Sequence, residues 1–203
     1  LGDVYKRQIQ SIQADQAEAI GRALDYVVYH AINPKTGDPL TGFDALTARA
    51  MQVTAGDDDI TNVDNLADQL NETYDINGIA ISRTWASRLR KIRVPATGMR
   101  YYPEIPLNLQ VGTLDGIKAA TSATVNGAKA KTPTHVLAIM GDFSLIKWGM
   151  VRDITSEIIP YGDPDQTGVD LKAHNQIAYR TEAMFSYAVI ELSLIHISEP
   201  TRP

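Results

Sequence analysis

The chain has 203 residues, 44% hydrophobic and 21% charged, the make-up of one globular domain or of one domain with an appendage. Its formal charge of −5 argues against nucleic acid as the main ligand, because phosphate binding calls for a basic surface. No apolar run approaches the ~18 residues of a membrane span, and the lack of cysteine excludes disulfides, thiolate metal sites and cysteine nucleophiles.

The two ends stand apart. LGDVYKRQ (1–8) and LSLIHISEPTRP (192–203) resemble translated sequencing-adaptor read-through. Neither shows periodicity continuous with its neighbours, so 1–8 and 193–203 are set aside as adaptor-derived, with Leu192 assignable to either side. On that reading the chain is a fragment whose native ends lie elsewhere.

From residue 9 to 32, Ile12, Ala17, Ile20, Leu24, Val27, Val28 and Ala31 recur at helical spacing opposite a polar face of Gln13, Gln16, Glu18, Arg22 and Asp25. Asn33-Pro34 ends this helix, because proline disfavours a helical residue before it. NPKTGDPLTGF then reads as a chain of turns. GDDDITNVDNLADQL predicts a second helix, capped by Thr61 or Asn62, with a stripe of Val63, Leu66, Leu70 and Tyr74. Asp57, Asp58 and Asp59 read as a solvated approach to its N-terminus, where negative charge is favourable.

NGIAIS predicts a short buried strand, and Ser82 the cap of a helix with Trp85, Leu89 and Ile92 on one face. Arg83, Arg88, Arg90, Lys91 and Arg93 make that stretch basic, and they are expected to face acidic neighbours in this chain or another copy. PATGMRYYPEIP is a turn bearing Tyr101 and Tyr102, and VGTLDGIKAATSATV reads as strand, turn and strand. HVLAIM is an uninterrupted apolar strand. In IMGDFSLIKWGM, Gly141 releases it, and Asp142 caps a short helix packed through Phe143, Leu145, Ile146 and Trp148. RDITSEII predicts a strand and YGDPDQTG a loop, and NQIAYRTEAMFSYAVIEL alternates as a long strand with Ile177, Tyr179, Thr181, Ala183, Phe185, Tyr187 and Val189 on one face.

Two patterns invite chemistry. Ser144-x-x-Lys147 has the spacing of a nucleophilic serine and its activating lysine. Lys35-Thr36-Gly37 matches a second box of that hydrolase family but precedes the serine, whereas the family needs it afterwards, and the third box is missing. Asp163-x-Asp165-x-Thr167-Gly168 begins like a calcium loop, yet His174 stands where the bidentate glutamate belongs. Asp163, Asp165 and Asp170 then read as an exposed loop, and Ser144 and Lys147 as two positions of a packed helix. The residues define no catalytic, cofactor-binding or metal site.

The long helix, NPKTGDPLTGF, NGIAISRTWASRLRKIRVPATGMRYY, GTLDGIKAATS, IMGDFSLIKWGMVRDITSEII and NQIAYRTEAMFSYAVI together resemble the major capsid protein of tailed bacteriophages. The resemblance covers about residues 9–192. It implies an α+β chain of the Hong Kong-97-type capsid fold: a spine helix of the peripheral domain at 9–33, an α/β axial domain at 34–172, and a strand returning to the peripheral domain at 173–192. The family's N-terminal arm and extended loop are expected to be missing. Some members cross-link through a loop lysine and a buried glutamate, and Thr181 stands at the glutamate's place, so cross-linking is not carried over.

The implied function is structural and not enzymatic: a phage or prophage subunit of the virion, assembled in the bacterial cytoplasm. It would form pentamers and hexamers that enclose double-stranded DNA. Scaffold and portal proteins are implied partners, packaged DNA is held without sequence preference, and no membrane or cofactor is implied. An encapsulin-type nanocompartment shell is the alternative of the same fold. The alternative of another class is a small α/β hydrolase or metal-dependent enzyme.

Overall fold

The computed structural model describes residues 2–71, 74–190 and 194–199, and of residues 2–6 the backbone alone. The chain divides into two compact units, Leu1–Arg22 with Trp148–Tyr187, and Ala23–Lys147 with Ala188–Pro203.

Helix α1 (Gly2–His30) opens the chain. It therefore begins within the segment set aside as adaptor-derived, although Leu1, Leu192–Ser193 and 200–203 lie outside the described residues. Its end comes two residues before the expected Asn-Pro stop, because Ala31 turns into the left-handed region at φ 49°. Leu40 N–H then donates to Ala31 O at 2.7 Å, closing the turn-rich loop on the helix end.

The larger unit is built on a six-stranded sheet. After α2 (Leu46–Arg49) come β1 (Met51–Thr54), α3 (Asp59–Asn71), β2 (Gly78–Ser82), α4 (Arg83–Leu89), β3 (Thr113–Leu114), β4 (Ile117–Ser122) and β5 (Val136–Gly141). The last strand, β8 (Leu194–Ser198), completes the order β1-β8-β5-β2-β4-β3. It runs parallel to β1, from Met51↔Ile195 to Thr54↔Ser198, and antiparallel to β5, and all five of its residues are buried. Residues 194–198, part of the 193–203 segment that resembles adaptor read-through, thus form a strand of this sheet. Apolar Leu194, Ile195 and Ile197 fit a position with a ladder on each side and a core on each face.

One core lies between the sheet and helices α3 and α4, with Leu66, Leu70, Ile81, Trp85, Leu89, Ile195 and Ile197 fully buried. On the other face Ala80, Ile139 and Leu194 meet Leu46, Val125 and Val136, with Val28, Tyr29 and Phe143 packed at the edge. Ser82 caps α4 as expected, accepting from Trp85 N–H at 3.3 Å. Helix α3, by contrast, starts earlier than Thr61 or Asn62. Asp58 performs the capping, accepting from Ile60 and Thr61 N–H, and its carboxyl is held below the usual range first by the Thr61 hydroxyl.

The smaller unit holds β6 (Ile146–Ile159) and β7 (Ala178–Val189), paired in a two-stranded sheet, for the parts of those strands it contains. The contacts Arg152 to Glu182 and Ser156 to Thr181 run in opposite directions along the two strands, so the ribbon is antiparallel. Gln16 of α1 joins it, accepting from the Thr181 hydroxyl at 2.6 Å. The unit boundaries differ from the expected 9–33, 34–172 and 173–192, because β6 finds its sheet partner in β7 and not in the six-stranded sheet. The helix expected after Asp142 is a single 3-10 turn, Phe143–Leu145. Extended chain follows at once, in a run with Gly149, Val151, Ile154 and Thr155, residues that disfavour helix.

Candidate functional site

None of the patterns that invited chemistry is assembled for it. Ser144 sits on the 3-10 turn and donates its N–H to Asp142 Oδ1 at 2.9 Å, while Lys147 has moved onto exposed β6. The Asp142 carboxyl is held below its usual range by the Ser144 hydroxyl first, then by Ser144 N–H, Asn77 and the Lys147 charge. Serine and lysine therefore both stabilise the charge of one aspartate.

Asp163 accepts Thr167 N–H at 3.0 Å on one oxygen and Gly168 N–H at 2.7 Å on the other. Those bonds, led by Gly168 N–H, keep its carboxyl below the usual range and fold the loop upon itself. Asp170 accepts from Ala173 N–H, and the His174 ring donates to Asp170 O, so both close a turn. Among the described residues no group of three or more histidine or acidic side chains is placed to hold a metal, and no helix is long and apolar enough to cross a membrane.

Within the basic stretch, Arg88 finds acidic partners in this chain. Arg88 Nε and Nη2 donate to the two oxygens of Asp59 at 2.9 and 2.6 Å, and its third nitrogen reaches Glu199. The Trp85 indole N–H donates to the same Asp59 at 2.8 Å, which ties the start of α3 to α4.

What distinguishes the surface is uncovered apolar area. Every residue of β6 from 147 to 158 is exposed, on both faces of the strand. Trp148, Met150, Ile154 and Ile158 fall at even spacing, so they share one face, and Val151 stands on the other at 78% exposure. A two-stranded ribbon of this kind is marginal alone in water, and an apolar strip of this length marks a surface that meets something else. A second projection comes from the larger unit. Val94 N–H donates to Met99 O, and Gly98, at φ 69°, donates to Val94 O, which turns the chain tightly between the bridged Arg93 and Arg100. Met99, Tyr101 and Leu107 are exposed around it.

Alternation at 177–189 pointed to the ribbon, whereas nothing in the sequence reading pointed to β6 continuing through Lys147 and Trp148. Two histidines that no sequence pattern singles out line a cavity of about 550 Å³ in the larger unit. His30 Nε2–H donates to Thr124 O, and its Nδ1 faces the Thr134 hydroxyl. Buried His196 leaves Nδ1 without a partner. Burial pushes both rings below the usual histidine range.

The molecule is thus a mixed α+β chain distinguished by an open ribbon. No family model matches its sequence, and no curated protein is similar to it. Solved structures are. One described as Mycobacterium phage Ogopogo is 28% identical, over 97% of this chain and 70% of that one, with a TM-score of 0.82. Gordonia phage Cozz is 27% identical, over 96% of this chain and 64% of that one, with a TM-score of 0.81. The capsid of an empty GTA particle computed with C5 symmetry is 12% identical, over 94% of this chain and 66% of that one, at a TM-score of 0.60. The chain has the fold of phage capsid proteins.

Proposed function

We infer that the chain is the larger part of a structural subunit of a phage capsid, which associates with further copies of itself into a closed shell around double-stranded DNA. The likeness to the mycobacteriophage and Gordonia phage structures carries this reading. The finer assignment is the Hong Kong-97-type fold. On it, α1 is the spine helix, the unit holding the ribbon is the peripheral domain, and the six-stranded unit is the axial domain around the centre of pentamers and hexamers.

The mechanism is repeated interface formation, in which modest contacts are multiplied by closure of a symmetric shell. A neighbouring copy, or the arm and extended loop that the family places before the spine helix, covers the exposed strip of β6. Met99, Tyr101 and Leu107 meet their counterparts near the capsomer centre. An acidic wall holds the genome by confinement, since a strongly basic lining would adhere to it. Scaffold and portal are the partners expected during assembly in the host cytoplasm.

The test is to express the full-length gene and image the product by negative-stain electron microscopy. Polyhedral particles are expected. A homogeneous monomer at high protein concentration would overturn the reading.

A further inference from the structure

Strands β2 and β4 pair in parallel, with Ile79 opposite Ala119 and Ala80 opposite Ala120. Ile79 and Ala119 point into the main core, which leaves Gly78, Ala80, Lys118 and Ala120 on the reverse face of the sheet. Three of those four carry nothing longer than a methyl group, and Ala120 is exposed although it belongs to an interior strand. Gly78 and Ala80 are buried at the border of the second core, whereas Lys118 and Ala120 beside them are exposed, so that core's cover stops short of β4.

Two aromatic rings stand beside this patch, Tyr29 from α1 and Phe143 from the 3-10 turn, and together they enclose a cleft of about 420 Å³. That volume is within the usual ~300–1,000 Å³ of ligand pockets. The backbone that carries each ring is held by a side chain. A Cβ on Gly78 would come within 2.9 Å of Phe143 Cδ2, so glycine is what lets the ring lie against the strand. Phe143 N–H is anchored on Asn77 Oδ1 at 2.9 Å, and the Tyr29 carbonyl accepts from the Thr47 hydroxyl at 2.6 Å. Burial first, then the Asp25 carboxylate, push the Tyr29 phenol up to about 12, so it keeps its proton and remains a donor.

Lys118 is the one charged side chain among the cleft's described lining residues. The acids nearby are otherwise engaged: Asp25 accepts from the Ser122 and Thr124 hydroxyls, and Asp142 from Asn77 and Ser144. A cleft lined by two aromatic side chains, small residues and a single cation suits a flat ring bearing one negative group.

We propose that this cleft binds a small planar aromatic anion, its ring between Tyr29 and Phe143 over Gly78, Ala80 and Ala120, and its carboxylate or sulfonate on the Lys118 ammonium. This goes beyond the shell reading and does not depend on it.

The probe is 8-anilinonaphthalene-1-sulfonate fluorescence on the full chain, with indole-3-acetate and the neutral indole-3-ethanol as competitors. Indole-3-acetate is expected to displace the probe about five-fold better than the alcohol, the worth of one partly exposed charge pair. Lys118→Gln should erase that preference and leave the alcohol's affinity unchanged. Ala120→Leu should abolish saturable binding without changing the thermal unfolding curve, because position 120 is exposed. Ala80→Leu fills the floor from its buried side and should do the same to binding. Unchanged binding in Ala120→Leu, or equal competition by acid and alcohol, overturns the proposal. So does binding that vanishes as protein concentration rises, which would place a side chain of a second copy in the slot.

Discussion

Shortening Ile197 to alanine tests whether the segment after residue 193 belongs to the fold. Ile197 is 0% exposed, in β8 between two ladders, and packs into the main core. Removing three carbons from such a site forfeits roughly 0.8 kcal/mol each in transfer, and incomplete collapse of the cavity adds to that, giving about 2–5 kcal/mol. With an m-value near 2 kcal/mol per molar urea, the midpoint should fall by about 1–2.5 M. Urea titration followed by tryptophan fluorescence reads this directly, since Trp85 lies in the same core. Val151→Ala is the matched control, because Val151 is 78% exposed. An unchanged midpoint in Ile197→Ala, or an equal change in the control, would refute the placement of β8.

Stability should fall on mild acidification. His30 and His196 have pKa values depressed by burial, so below about pH 6.5 the unfolded chain binds protons that the folded chain does not. Their neutral-state stability is complete above that pH and declines below it by at most about 1.4 kcal/mol per pH unit for each ring. Urea midpoints from pH 5 to 8 check the slope, and His196→Val should roughly halve it. Asp59→Asn should cost about 1–3 kcal/mol, because Arg88 then loses its bidentate partner and the Trp85 N–H its charged acceptor. A thermal melt monitored by circular dichroism measures that loss. Asp163→Ala is expected to leave the global urea midpoint unmoved, and calorimetric titration with calcium should show no heat of binding in either protein.

The elements legible in the sequence are those whose local pattern agrees with their final environment. HVLAIM is uninterrupted because β5 is buried on both faces, and Val63, Leu66 and Leu70 repeat because α3 lies on one core. Strand β1 escaped notice, since three of its four residues are exposed and only Val53 is buried. The stretch after Asp142 misled for a different reason. Phe143, Leu145, Ile146 and Trp148 have a spacing that one helical turn can satisfy, and the choice of strand is made by the β-favouring run beyond them.

LIHIS resembles a foreign tail, although its apolar content suits an inner strand. The ribbon was half visible in the alternation of 177–189. The cleft beside Lys118 was not visible at all. It is made from what Gly78, Ala80 and Ala120 lack, and from a pairing of strands about forty positions apart that no local pattern records.

The parallel match of Met51 with Ile195 joins positions 144 residues apart. At roughly 5–20 residues per second of synthesis, β1 emerges on the order of ten seconds before the strand that seats it. During that interval its hydrogen-bonding edge and Val53 lack their resting place, and contacts this distant also slow the final search. The nascent chain would then be most vulnerable at MQVT, where a chaperone or a sister polypeptide can reach it first. Yield in the host should therefore respond more to slowed translation before β8 than to the same delay before β2.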